Sequence, residues 1–152
     1  MFKIKKSNIN NRGLVATNNI KKNIRIVEYK GRLISKKETE TNNKFDNDKF
    51  IYLFNINTRY DLDGDYEYNT ARLINHSCNP NCVVTGHGVK LWISSTKDIN
   101  KGEELSYDYG FGFDKNYKNF ICKCKSKNCC GYIVREGSRW RIKKSKHLTK
   151  RI

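Results

Sequence analysis

No run of about 18 apolar residues occurs in this chain, so no membrane-spanning helix is expected. The first residues, Met1-Phe2-Lys3-Ile4-Lys5-Lys6, lack the apolar stretch of a secretion signal. The six cysteines are therefore expected in a reducing compartment, where metal ligation is favoured over disulfides. No internal repeat is present, and proline occurs once, at Pro80. Acidic residues are scarce, 15 against 31 Lys and Arg.

What is present argues for a folded domain. At 152 residues the chain is long enough to bury a core, and 12% aromatic residues argue against disorder. The 22 Lys and 19 Asn point to an AT-rich genome, such as that of a large DNA virus or a protist. The net charge of +16 is unevenly spread: residues 36–67 hold eight acids against five bases, so the rest of the chain carries the whole excess. A basic body with one acidic segment suits a protein that approaches a polyanion while holding a cationic peptide. A solvated basic surface is the plainer explanation.

Short alternating runs predict strands at Gly13–Ala16, Ile24–Tyr29, Leu33–Ile34, Ile51–Phe54, Val89–Ile93 and Glu104–Tyr107. Residues 35–50 read as a helix and loop, and Asn69–Leu73 as a short helical stretch. Many short strands with little helix predict a mainly β domain. Three parts are expected: a body over 1–110, a cysteine-rich segment over 111–134, and a basic tail over 135–152 with eight Lys or Arg and one Glu.

The most specific segment is Asn75-His76-Ser77-Cys78-x-Pro80-Asn81, followed by Glu104-Leu105-Ser106-Tyr107-Asp108-Tyr109. A run this polar inside a small domain must have its groups hydrogen-bonded or liganded. An Asn-Pro turn explains part of it only. Tyr107 and Tyr109, two apart on a strand, face one side; two core tyrosines would look the same. Cys122-x-Cys124-x4-Cys129 supplies three thiolates where zinc takes four ligands. Cys130 could be the fourth, although adjacent Cys129 and Cys130 point in different directions. His87 and His147 are isolated and read as surface histidines.

These motifs resemble the SET domain, a lysine methyltransferase fold that uses S-adenosylmethionine. The resemblance spans residues 3–134. It takes in Tyr52-Leu53-Phe54, Asp61-Leu62-Asp63-Gly64 and Asn69-x-Ala71-Arg72-Leu73-Ile74, which lead without gaps into Asn75. It departs from the family at Tyr68, where Gly is frequent, and at Leu73, where Phe is usual; neither change removes a group the reaction needs. The loop Asn11-Arg12-Gly13-Leu14 resembles the family's Gly-x-Gly loop with Asn11 for the first Gly, a residue that tolerates the left-handed conformation. Glu28-Tyr29-Lys30-Gly31 fits the family's Glu-Tyr-x-Gly turn.

The resemblance implies small β-sheets around a pseudoknot, in which Asn75–Cys78 threads a loop formed around Tyr107–Tyr109. It implies a SET domain over 1–110 and a post-SET zinc segment over 111–134. It assigns cofactor contacts to Arg12, Gly13, Leu14, Arg72, Asn75, His76, Tyr109 and Tyr132. Tyr109 becomes the catalytic tyrosine, Tyr107 limits the number of methyl groups, and Tyr52 completes the lysine channel. A structural zinc is held by Cys78, Cys122, Cys124 and Cys129, leaving Cys82 and Cys130 spare.

The implied function is methylation of a histone tail or another Lys-rich chromatin protein, in the nucleus or, for a viral protein, in the host cell or virion. The basic tail is expected on nucleosomal DNA. Small viral members of the family can dimerise, so a homodimer is allowed. Two alternatives remain: a non-catalytic, zinc-bearing nucleic-acid-binding module, and a methyltransferase of a non-histone protein.

Overall fold

The computed structural model describes residues 1–46 and 52–142. The predicted strand start at Ile51, and His147 with the tail from residue 143 onward, lie outside the described residues. Among the described residues ten short strands build four small sheets. β1 (Phe2–Lys6) pairs antiparallel with β2 (Arg12–Ala16), with Phe2 opposite Ala16. β3 (Arg25–Tyr29) lies on one edge of a three-stranded sheet in the order β3-β9-β8, where β8 is Cys82–His87 and β9 is Lys90–Ser95. The β8–β9 turn places Gly88 at φ 56°, the conformation for which tight hairpins select glycine.

A third sheet has the order β4-β6-β5, with β4 at Arg32–Ser35, β5 at Leu53–Asn55 and β6 at Tyr60–Asp63. Between β4 and β5 the chain forms α1 (Lys36–Thr41), capped by Ser35, whose hydroxyl accepts from the Glu38 N–H. The helical stretch expected near Asn69–Leu73 is a 3-10 turn over Thr70–Leu73.

The fourth sheet is a two-residue parallel pair, β7 (Asn75–His76) with β10 (Ser106–Tyr107), formed by segments some thirty residues apart. Here lies the pseudoknot expected from the sequence. The Ser77 N–H donates to the Tyr107 carbonyl at 3.2 Å. The Asn81 side chain donates to the Glu104 carbonyl and accepts from the Ser106 N–H, both at 2.9 Å. Segment 75–81 is thus held along its length by segment 104–107.

The main core joins the sheets through Leu14, Ile26, Tyr29, Leu62, Ile74, Ile93, Leu105 and Tyr107. A second buried cluster lies under the cysteine-rich segment and contains Cys78, Cys122, Cys130, Val134 and Ile142. Two glycines allow close approach between parts: a methyl at Gly13 would strike the Glu104 carboxylate, and one at Gly31 the Asp63 backbone. Among the described residues no helix is long and apolar enough to cross a membrane.

Candidate active site and metal centre

Asn75 sits at the centre of the site, 7% exposed. Its Nδ2 donates toward four acceptors: Ser7 Oγ at 3.0 Å, Asn10 O at 3.1 Å, Arg12 O at 3.0 Å and Glu104 Oε1 at 2.9 Å. An amide has two hydrogens, so these acceptors share them. The Ser7 hydroxyl donates to the same Glu104 oxygen at 2.7 Å. This network ties the N-terminal loop to β7 and to the approach to β10. Asn11 takes φ 48°, the left-handed conformation its residue type tolerates.

Tyr109 lies just past the end of β10. Its N–H donates to His76 Nδ1 at 3.1 Å, and its hydroxyl donates to the Ile74 carbonyl at 2.8 Å. The His76 Nδ1 is therefore an acceptor, and its Nε2 lies 3.7 Å from Cys78 Sγ. Burial raises the Tyr109 phenol well above its ordinary value. It stays protonated at neutral pH and acts as a hydrogen-bond donor. Tyr107 is raised by burial as well and packs in the core, its ring centroid 5.0 Å from that of Tyr109 and 6.1 Å from that of Phe54.

Two small cavities meet at Asn10, Asn75 and Tyr109. One, of about 60 Å³, is further lined by Asn11, Arg12, Tyr52, Arg72 and Leu73. The other, of about 100 Å³, runs past His76 to Ile9, Ile121, Cys122, Lys123 and Ile133. Arg12 and Arg72 make the first cavity cationic, while the second combines the apolar Ile9, Ile121 and Ile133 with Lys123. A larger groove of about 530 Å³ is lined by α1, Phe45, Asp46, Leu53, Asn55, Asp61 and Phe111. Leu53 and Phe111 face this groove, while Tyr52 and Tyr109, close to them in the chain, face the small cavities. An aromatic partition therefore lies between the two sides, with the Tyr109 and Phe111 rings 5.8 Å apart.

The structure brings Arg12, Tyr52, Arg72, Asn75, His76 and Tyr109 to the small cavities. Gly13 stands behind them against Glu104 and Asn75. Leu14 is fully buried in the core, so a direct contact from its side chain to a ligand is not in place. Tyr132 stacks edge-on against Tyr117 at 5.0 Å, and the adjoining cavity wall is made by Ile121 and Ile133. Glu104, Ser7 and Asn10 hold Asn75 in place but were not singled out from the sequence. Glu104 lies inside the quoted motif; Ser7 and Asn10 are two polar residues among many and carry no signal of their own.

The metal site is compact. The sulfurs of Cys78, Cys122, Cys124 and Cys129 all lie within 4.8 Å of one another, with Cys78 and Cys122 at 3.9 Å. Tetrahedral zinc–thiolate bonds of about 2.3 Å require sulfurs about 3.8 Å apart, so the donor set fits zinc. Backbone N–H groups of Cys78 and Gly131 point at Cys124 and Cys129 sulfurs, each at 3.4 Å, as they would at thiolates. The hydrogen bonds from Cys122 and from His76 hold the Cys78 thiol below its ordinary value. Two other cysteines, Cys82 and Cys130, lie outside this set of four. Cys130 donates to the Tyr132 carbonyl at 3.2 Å, and burial pushes the Cys82 thiol up to about 12.

Comparison with known proteins agrees with this geometry. The family model described as "SET domain" matches residues 11–110. Over 140 residues the chain is 39% identical to the Caenorhabditis elegans "Histone-lysine N-methyltransferase set-2", covering 88% of this chain and 9% of that protein. It is 35% identical over 130 residues to the human "Histone-lysine N-methyltransferase 2D", covering 82% of this chain and 2% of that protein. A Dictyostelium discoideum "Histone-lysine N-methyltransferase set1" is 35% identical over 135 residues, 84% of this chain and 9% of that protein. The chain thus spans less than a tenth of the length of these relatives. The family match covers most of the chain and contains the threaded Asn75–Asn81 segment, its β10 partner and Tyr109: the chain belongs to the SET-domain family.

Proposed function

We propose that this chain is a protein-lysine N-methyltransferase that uses S-adenosylmethionine and acts on a histone tail or a similarly basic chromatin protein. The observation that carries the reading is the position of Tyr109, hydrogen-bonded to the Ile74 carbonyl where two small cavities meet, with an aromatic partition between it and a larger groove.

S-adenosylmethionine supplies an electrophilic methyl group on a positively charged sulfur. Arg12 and Arg72, lining the cationic cavity, suit its carboxylate, and Ile121 and Ile133 suit the faces of its adenine. Asn75 and His76 hold the wall between them. The target lysine enters from the groove side and passes Phe54, Tyr107 and Tyr52. A free lysine has a pKa of about 10.4, so neutralising it at pH 7 costs about 4–5 kcal/mol. Desolvation among these rings favours the neutral amine. The neutral Tyr109 phenol and the nearby Ile74 carbonyl position the reacting groups rather than remove a proton.

Cys78, Cys122, Cys124 and Cys129 would hold a structural zinc that fastens segment 111–134 to the threaded β7 region. No step of the transfer passes through the metal. The acids Glu40 and Asp46 along the groove fit a cationic peptide, while Asp61 there is already paired with Lys36. The basic excess elsewhere fits nucleosomal DNA and supports a chromatin substrate.

The test is methyl transfer from isotope-labelled S-adenosylmethionine to intact nucleosomes and to separated core histones, read by mass spectrometry. Labelled lysine in a histone is expected. Cofactor binding without any labelled lysine on histones or on lysate proteins would leave a zinc-bearing binding module as the better reading.

A further inference from the structure

Arg139 lies ten residues beyond the last zinc-ligand cysteine, in what the sequence reads as a basic tail. Its described basic neighbours Arg135 and Arg141 are exposed, yet Arg139 is 7% exposed. Every part of its guanidinium is used. Nε donates to the Val134 carbonyl at 2.9 Å, Nη1 to the Cys78 carbonyl at 2.9 Å, and Nη2 to Asp108 Oδ2 at 2.7 Å. The Glu136 N–H donates to the same Asp108 oxygen at 3.0 Å, and the Gly110 N–H to the other at 2.9 Å. Val134 and Ile142, on either side of Arg139 in sequence, are buried with the cysteine cluster.

Asp108 stands between Tyr107 and Tyr109 in the chain, and Cys78 is one of the four converging thiols. One planar cation therefore joins the segment bearing both tyrosines to the backbone of a metal ligand. A buried guanidinium persists only where it is paired and hydrogen-bonded, and this one donates from all three of its nitrogens, one bond going to a carboxylate. A tetrathiolate site around a dication keeps net negative charge, which a cation on the Cys78 carbonyl offsets.

We propose that Arg139 is a positioning residue for methyl transfer: through Asp108 it fixes the Tyr107–Tyr109 segment against the Cys78 side of the metal site. The fork geometry is essential. A lysine ammonium is a point donor and cannot span Cys78, Val134 and Asp108 together. Residues 134–142 are thereby part of the working unit and not a disposable tail.

The inference rests on the methyltransferase reading, and its test separates the two. In the full-length, zinc-loaded chain, Arg139→Met, Arg139→Lys, Asp108→Asn and the double variant Asp108→Asn/Arg139→Met are compared with wild type. Arg139→Met and Asp108→Asn are expected to lower kcat on core histones about tenfold or more, with stoichiometric zinc and little change in KM or cofactor affinity. Arg139→Lys recovers only a small part. The double variant is no slower than Arg139→Met, because both changes cut one contact. Amide exchange across residues 107–111 rises about tenfold in both single variants.

Wild-type kcat in Asp108→Asn, or in a zinc-loaded Arg139→Met, overturns the proposal, as does an additive double variant. Should Arg139→Met fail to retain zinc, Asp108→Asn decides alone. If the wild type transfers no methyl group, the functional reading fails, and unchanged exchange across 107–111 then overturns this one.

Discussion

Tyr109 has three neighbours that give its hydroxyl a job. The Ile74 carbonyl accepts from it, His76 accepts from its N–H, and the Tyr107 ring stands beside it. Because burial holds the phenol protonated, no ionisation of Tyr109 is expected to shape the pH profile near neutrality. The rate should rise with pH as the substrate amine loses its proton. Tyr109→Phe removes one hydrogen bond, worth roughly 0.5–1.5 kcal/mol to stability, and in the proposed mechanism it also removes the group that aligns the transfer. Turnover is expected to fall by about 100-fold or more while the cofactor dissociation constant stays within a few-fold of wild type. Unchanged turnover would make Tyr109 a core residue only. Tyr107 offers a different readout. It crowds the same region from the core side, and a tyrosine here leaves little room for an already methylated amine to rotate into line. Mono- and dimethyl-lysine should dominate, with Tyr107→Phe shifting products several-fold toward higher methylation by freeing the space of a hydroxyl. Mass spectra of the wild type dominated by trimethyl-lysine at early times would refute this.

At the scale of elements, the cysteine-rich segment is the part whose role can be isolated. Three of its cysteines were recognisable as ligands from spacing. The fourth depended on a residue 44 positions earlier, Cys78, whose sulfur the fold brings to 3.9 Å from Cys122. Spacing alone left Cys130 open as the fourth; the structure turns its sulfur to the Tyr132 carbonyl. Cys78→Ser should therefore lose or greatly weaken zinc, and Cys130→Ser should keep it, as read by metal analysis of the purified proteins. The reverse pattern would overturn the ligand set. Other elements were less legible, for physical reasons. β7 and β10 are two residues each, too short for any periodicity, and exist only because the Asn75 and Asn81 side chains hold their segments together. β1 buries no residue fully, so its Lys-rich sequence shows no core face. β8 mixes Cys, Val, Thr and Gly, and its turn, Gly88-Val89, lacks the usual Asn-Gly signal. By contrast β2, β3 and β9 bury two to four residues each and follow the apolar runs from which they were predicted. Arg139 illustrates the limit of composition: among the described tail cations Arg135, Arg139 and Arg141, nothing in sequence marks Arg139 as the buried one.

For the molecule as a whole, the charge distribution makes the remaining prediction. The net +16 includes Lys143, Lys144, Lys146, Lys150 and Arg151, five cations beyond Ile142. A truncation ending at Ile142 keeps Arg139, the cysteine cluster and every residue placed at the cavities. If these five cations meet DNA phosphates, each contact releases counterions, and the logarithm of affinity falls with the logarithm of salt with a slope of about −0.9 per phosphate neutralised. Removing them should flatten that slope for nucleosome binding by about 4 to 5. Activity on an isolated histone-tail peptide should stay near wild type, since the groove proposed for the peptide is untouched. The contrast between substrates carries the argument. A general loss of folding would lower both activities together, and a solvated basic surface with no DNA partner would leave the nucleosome slope unchanged. Titrations of wild type and truncated chain against nucleosomes from about 50 to 200 mM salt, a range over which phosphate contacts change affinity by orders of magnitude, distinguish these outcomes, and equal slopes would remove DNA from the account of what the tail does.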